Sequence, residues 1–467
     1  MLFNSLQFLV FFLVVTLWFF RIKHQQGRIW LLLIASCYFY MVFVPVYLLI
    51  LGGTIVIDYI AGIQIAKKQG KARKVWLVAS IIANVGILAF FKYFNFLVTN
   101  INDALQLFHT GRNIPLLHII LPIGLSFHTF QAMSYTIEVY RGNQPPERNF
   151  LTYALYVMFY PQLVAGPIER PQNVLPQLHE YRPYNWDNVK EGLSRMLWGF
   201  FKKVVIADRL AMSVDYVFGR YEHASALALT VGAILYSFQI YCDFSGYSDI
   251  GIGAARVMNI RLMENFNQPY IARNIAGFWA RWHISLSTWF RDYVYIPLGG
   301  NRRGEARRKR NVFITFLLSG LWHGANWTFV TWGALHGALV TFFHGRAKDT
   351  KGEQSRFHRP KIVLFVVANF LLVTLFWIFF RAENLHKAIG YIGGIFSFRG
   401  GSNRIGLNTG ELLFSLLLIV VMMWRENRHP GHFIAGNKRF GWYVAGMVAA
   451  CYFFGVFSEN QFIYFQF

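Results

Sequence analysis

Two histidines in apolar surroundings are the side chains of this 467-residue chain best suited to moving protons. His323 stands in Ser319-Gly-Leu-Trp-His323-Gly-Ala-Asn-Trp327, inside a stretch apolar enough to enter a bilayer. His283 stands in Trp279-Ala-Arg-Trp-His283-Ile-Ser-Leu-Ser287, where Arg, Trp, His and Ser interleave. Imidazole titrates near neutrality, so either ring suits acid–base work. An ionisable ring at membrane depth is costly and is ordinarily enclosed by protein or turned toward a water-filled cavity. On a helix, Gly320, His323, Gly324 and Trp327 share one face. The two glycines remove bulk beside the imidazole and let a substrate or another segment approach. Two readings of His323 are open from the residues alone: a core ring bonded to a nearby carbonyl, or a functional group.

The elements that must hold these residues are membrane spans. The chain is 55% hydrophobic and only 14% charged, against about 25% charged residues in soluble domains. That excludes a soluble enzyme and points to an all-α polytopic membrane protein. Spans are expected at 4–20, 29–43, 45–66, 75–96, 225–242, 311–330, 361–380, 410–424 and 440–457, since about 20 apolar residues cross the hydrocarbon core. Segments 115–140, 150–165 and 192–210 carry Pro, Gly and charge and are expected to be re-entrant or interfacial. Pro45 is expected to break 29–66 into two spans. Phe3 to Phe20 reads as a retained first span, because it has no basic n-region and no small-residue cleavage site. With no repeat and no second soluble domain visible, residues 1–467 are expected to form one transmembrane domain with its signature at about 261–340.

The net charge of +23 does not indicate nucleic acid, because the basic residues gather in short loops between apolar runs, as topology requires. Loops 21–28, 67–74 and 425–439 are expected in the cytoplasm, with both termini outside. The runs 302–310 and 346–361 are both basic, yet only 311–344 separates them, so a bent hairpin or re-entrant element is expected near Gly333. The cysteines, Cys37, Cys242 and Cys451, lie far apart, with neither metal-ligand nor disulfide spacing. No metal is expected.

Segment 261–304 is too polar to face lipid and too apolar for a loop. Helical spacing would put Trp279, His283 and Ser287 on one side, and Trp282, Leu286 and Trp289 on the next stripe. It reads either as an interfacial helix with anchoring Trp or as a helix buried among the spans, lining a polar passage. No Gly-x-Ser-x-Gly elbow is present, and Ser319, Ser285 and Ser287 are weak nucleophile candidates, which leaves a covalent acyl-enzyme open. Asp243 and Asp249 are expected to pair with Arg, and Glu169 and Arg170 to shape a turn. His336, thirteen residues beyond His323, falls opposite it on an ideal helix.

The run from Glu264-Asn-Phe-Asn-Gln-Pro-Tyr270 through Phe290-Arg-Asp-Tyr-Val-Tyr-Ile-Pro-Leu-Gly-Gly-Asn-Arg-Arg-Gly304, with Gly320-Leu-Trp-His323-Gly-Ala-Asn-Trp to His336-Gly337, closely resembles the membrane-bound O-acyltransferase family, in its bacterial polysaccharide branch. Leu121-Pro-Ile-Gly-Leu-Ser-Phe127, Val139-Tyr-Arg-Gly142, Ala165-Gly-Pro-Ile-Glu-Arg170, Tyr241-Cys-Asp-Phe-Ser-Gly-Tyr-Ser-Asp249 and Phe462-Ile-Tyr-Phe-Gln-Phe467 add to the likeness, which runs from about residue 30 to 467. His128 departs from it, standing where an aromatic residue is expected, as a third titrating group or an aromatic substitute. The resemblance implies re-entrant or interfacial helices around a central polar passage. It also implies His323 as the catalytic centre, with His283 in support. Acyl transfer to a sugar hydroxyl needs a base for the hydroxyl proton.

Trp279, Ser287, Asp292, Asn326 and Trp327 are expected to line the passage. The run Arg302, Arg303, Arg307, Arg308, Lys309 and Arg310 reads as a topology signal or as a dock for donor phosphates or an acidic carrier. By the same resemblance no cofactor is bound, and the donor is acetyl-CoA or another acyl thioester from the cytoplasm. The acceptor is an exported polysaccharide, reached directly or through a periplasmic or secreted O-acetyltransferase partner, and the site is the bacterial inner membrane. The alternatives are D-alanyl transfer to teichoic acid from a carrier-protein thioester, or a transporter or non-catalytic scaffold.

Overall fold

A computed structural model of the chain describes residues 1–109, 111–118, 121–163, 166–343, 360–428 and 440–457. Among these residues regular structure is helical, apart from an isolated bridge between Ala224 and Ser402. The composition demands this, because at membrane depth only a helix satisfies its own backbone groups within one segment. Tyr47–Lys67, Gly70–Leu107, Ala226–Val257 and Pro360–Arg381 are long and apolar enough to cross a bilayer, and Leu6–Arg21 and Phe440–Phe454 are shorter apolar helices. The chain breaks between Met41 and Tyr47, around Pro45. The expected span 75–96 is the apolar middle of a helix of 38 residues, and 225–242 covers the N-terminal half of a helix of 32 residues. Hydropathy finds only the apolar part of a helix, whereas the backbone continues through polar residues that find partners. Leu385–Phe396, which hydropathy missed, is a further helix, capped by Asn384 accepting from the Lys387 N–H at 2.9 Å.

Contacts sort the described residues into two compact units. The first comprises 1–193 and 251–263. Its helices Tyr47–Lys67, Gly70–Leu107 and Leu125–Arg141 meet around buried polar groups. Asp58 accepts from Ser80 Oγ at 2.6 Å and from Asn84 Nδ2 at 2.8 and 2.9 Å. His128 bonds Thr54 Oγ1 at 2.7 Å, so it ties two helices together within this unit. Glu169 is buried and accepts from Asn173 Nδ2 at 2.7 Å, a turn-shaping role.

The second unit comprises 194–250 and 264–467. It carries a chain of largely buried charges that ends at the exposed Glu264. Arg195 bonds Asp249 at 2.9 Å and Glu264 at 2.5 Å, and Lys202 reaches Asp249 at 2.7 Å. Lys203 lies between Asp208 at 2.9 Å and Asp243 at 2.6 Å. Asp249 thus has the expected Arg, while Asp243 pairs with Lys203. Buried charges persist only when matched in this way.

The single span expected at 311–330 is instead a helical hairpin. Glu305–His323 ends at His323, the chain turns through Gly324–Asn326, and Trp327–Phe343 runs back. Asn326 fixes the turn, its Oδ1 accepting from the Thr328 N–H at 3.0 Å. The bend therefore lies before Gly333, which serves as the contact between the arms. A Cβ on Gly320 would collide with the Phe329 carbonyl oxygen and sit 2.9 Å from Gly333 Cα. A hairpin brings the chain back toward the end where it entered. Residues 344–359 and 429–439, and the terminal 462–467, lie outside the described residues.

Candidate active site

Segment 261–304 is not one helix. It forms the short helices Ile275–Trp279 and Ile284–Phe290, separated by a turn in which His283 takes the left-handed conformation, φ 44° and ψ 54°. Trp279, His283 and Ser287 therefore do not stack on one helical face. The turn is clipped to residues 265–267: the Asn267 N–H donates to the Arg281 carbonyl and the Ile284 N–H to the Asn265 carbonyl, each at 2.9 Å. These bonds offset a conformation that costs a non-glycine residue about 1–2 kcal/mol. Such strain commonly marks functional positions.

The hydrogen bonds define which nitrogen of each ring is basic. His323 Nδ1 lies 2.6 Å from the Ser319 carbonyl oxygen, one turn earlier on its helix. A carbonyl only accepts, so Nδ1 carries the proton and Nε2 holds the lone pair. His283 Nδ1 lies 3.0 Å from Asn265 Oδ1, which fits the same tautomer. Asn265 is itself oriented, because its Oδ1 accepts from Ser285 Oγ at 2.9 Å and its Nδ2 donates to Ser248 Oγ at 3.0 Å. Both rings are buried, and their centroids are 6.5 Å apart. The carbonyl bond of the first reading of His323 is present, and it leaves the lone pair on Nε2.

An aromatic shell encloses His323. Trp322, Trp332 and Phe380 have ring centroids 5.0, 4.9 and 5.6 Å from it. His336 joins this cluster, contrary to its expected place on the far side. The helix breaks after His323 and folds back, so the ideal-helix angle does not apply. The His336 ring is 4.9 Å from Trp332, and its Nδ1 accepts from Trp279 Nε1 at 3.1 Å.

A cavity of about 570 Å³ adjoins this cluster. Trp279, Ser287, Arg291, Arg308 and Ser319 are on its wall. Ser319 is the residue whose carbonyl holds His323, so the cavity ends one helical turn from the imidazole. Trp279 and Ser287, two of the residues expected to line a passage, are thus on one wall. Asp292, Asn326 and Trp327 are not on that wall. Asp292 pairs with Arg291 at 2.8 Å, Asn326 donates to the Glu383 carbonyl at 2.7 Å, and Trp327 is half exposed at the start of the returning arm. Those three positions follow from the hairpin turn and the short helices, which a straight helix could not anticipate. The basic run divides too. Arg302, Arg303, Arg307, Lys309 and Arg310 are exposed, whereas Arg308 is buried, bonds Glu305 at 2.5 and 2.7 Å, and reaches the cavity.

Reading the sequence missed Asn265, Trp332 and His336 as parts of the site. Asn265 left one signal, its place in the run that carries the family resemblance. Trp332 and His336 lie in the second resembling run, but only the hairpin brings them to His323.

A family model described as the membrane-bound O-acyltransferase family matches residues 141–382. The chain is 40% identical to a protein of Pseudomonas aeruginosa named probable alginate O-acetylase AlgI, over 91% of this chain and 82% of that one. It is 39% identical to a peptidoglycan O-acetyltransferase of Helicobacter pylori, over 80% of this chain and 75% of that protein. A teichoic acid D-alanyltransferase of Bacillus subtilis is more distant, at 28% identity over 60% of this chain and 73% of its own length. With its apolar helices and this match over half its length, the chain is a membrane enzyme of the membrane-bound O-acyltransferase family.

Proposed function

We propose that this enzyme moves acetyl groups from a cytoplasmic acyl thioester toward hydroxyls of an exported cell-surface polysaccharide, with His323 as the base. The reading rests on one observation: the Ser319 carbonyl holds His323 Nδ1–H and leaves the lone pair on Nε2, while Ser319 is also on the wall of a cavity of about 570 Å³. In the transfer, the attacking hydroxyl oxygen bonds to the acyl carbon while His323 Nε2 takes its proton. The carbon–sulfur bond breaks, and the thiolate leaves as the free thiol after receiving that proton. His283, held by Asn265, supports the site from 6.5 Å away.

The donor is acetyl-CoA or another acyl thioester, and the exposed Arg302, Arg303, Arg307, Lys309 and Arg310 supply charge to dock its phosphates or an acidic carrier. The enzyme works in the bacterial inner membrane, and hydroxyl acylation occurs directly or through a periplasmic partner transferase. The relatives named for alginate and peptidoglycan O-acetylation favour a polysaccharide acceptor. The teichoic acid relative keeps D-alanyl transfer from a carrier-protein thioester as the second reading.

The test is His323→Ala in reconstituted vesicles, offered acetyl thioester or D-alanyl carrier thioester in turn. Transfer should fall about 10²–10⁴-fold, as for loss of a general base, with membrane insertion unchanged. Normal transfer at normal protein level would remove His323 from the reaction. Transfer of D-alanyl alone would replace the acetyl reading with the teichoic acid one.

A further inference from the structure

We infer that His336 is a positioning residue for the transfer reaction, acting through Trp279 and Trp332. Three observations carry this. First, the returning arm of the hairpin delivers His336, fully buried, to a place where its Nδ1 accepts from Trp279 Nε1 at 3.1 Å. Trp279 is on the cavity wall, so this bond fixes the orientation of a surface that substrate would touch. Second, the Trp332 ring lies between two imidazoles, with centroid distances of 4.9 Å to His336 and 4.9 Å to His323. Trp279 packs on the same indole at 5.6 Å. A tilt of Trp279 would therefore be felt by the ring that confines His323. Third, the chemistry of the bond is specific. An indole N–H only donates, so His336 must present a bare Nδ1 and carry its proton on Nε2. That is the opposite tautomer from His323, whose Nδ1–H is held by the Ser319 carbonyl. The neighbouring imidazoles thus hold different tautomers, each set by its own partner. His336 touches no reacting atom in this arrangement, and an indole does not relay protons. Its part is to hold the wall and the aromatic shell in register.

This inference rests on His323 being the base, so His323→Ala is run beside it. The test compares His336→Leu, which removes the acceptor, with His336→Asn, whose Oδ1 can replace Nδ1. Trp279→Phe removes the donor of the same bond. Acetyl transfer is measured in vesicles at matched protein level. His336→Leu should lower transfer about tenfold, the usual worth of a buried hydrogen bond near a site. His336→Asn should recover to within about threefold of wild type. The double variant His336→Leu with Trp279→Phe should fall no further than the worse single change, because both delete one bond. Wild-type transfer by His336→Leu, or by Trp279→Phe should the Leu variant fail to insert, would overturn the inference. So would an Asn variant as impaired as Leu, which would assign His336 to packing alone. Activity retained in His323→Ala would instead strike the base assignment, leaving these outcomes separable.

Discussion

Asn265→Ala should disable the enzyme without removing either histidine. The amide makes three side-chain bonds: Oδ1 accepts from His283 Nδ1–H at 3.0 Å and from Ser285 Oγ–H at 2.9 Å, and Nδ2 donates to Ser248 Oγ at 3.0 Å. All four residues are buried, so truncation removes three bonds from a place shielded from bulk solvent. Each such bond is worth about 0.5–1.5 kcal/mol, which brings the loss of stability to about 3 kcal/mol. The left-handed turn at His283 would also lose the side-chain bond that orients the imidazole, and the ring would be free to rotate or change tautomer. A displacement of about 1 Å at a reacting group can cost about 10²-fold in activity. Two measurements check this: acyl transfer in reconstituted vesicles at matched protein level, and the temperature at which detergent-solubilised protein aggregates. Ser285→Ala is the control, since it removes only one of the three bonds and should cost far less in both. An Asn265→Ala protein with wild-type transfer would refute the view that His283 must be held in one tautomer. An unchanged aggregation temperature would refute the energetic reasoning.

The hairpin and the basic run give two further predictions. Gly320→Val should abolish activity and lower yield, because a side chain there meets the Phe329 carbonyl and Gly333 Cα, and forcing the arms apart costs about 1–3 kcal/mol or more while shifting His323. Wild-type activity in purified Gly320→Val protein would contradict the close packing of the two arms. Replacing Arg307, Lys309 and Arg310 with Gln, while leaving the buried Arg308 intact, should lower transfer several-fold if these exposed charges dock the donor, since each screened contact is worth about 1 kcal/mol or less. The deficit should grow as salt is lowered; a mutant-to-wild-type ratio near one across the salt series would assign the run to topology alone.

The linear order of residues was enough to define the class of this protein and to single out two buried histidines. A chain so apolar must satisfy its backbone within helices, and the basic loops and the break at Pro45 follow from the same economy of burial. The two histidines were legible because a titratable ring is conspicuous in apolar surroundings, and the run from Glu264 to Gly304 carried the family likeness. Periodicity failed where the backbone leaves the helix. At His283 a left-handed residue, clipped by Asn265 and Asn267, replaces the continuous helix that spacing suggested. At Gly324–Asn326 the chain reverses, and residues that a straight helix places on opposite sides, His323 and His336, pack against one indole. Helical spacing extrapolates a constant rotation per residue, and one non-helical residue resets it. Where that reset falls, and which tautomer each imidazole then holds, depends on hydrogen-bond partners distant in sequence, so tertiary structure alone decided how the site is assembled.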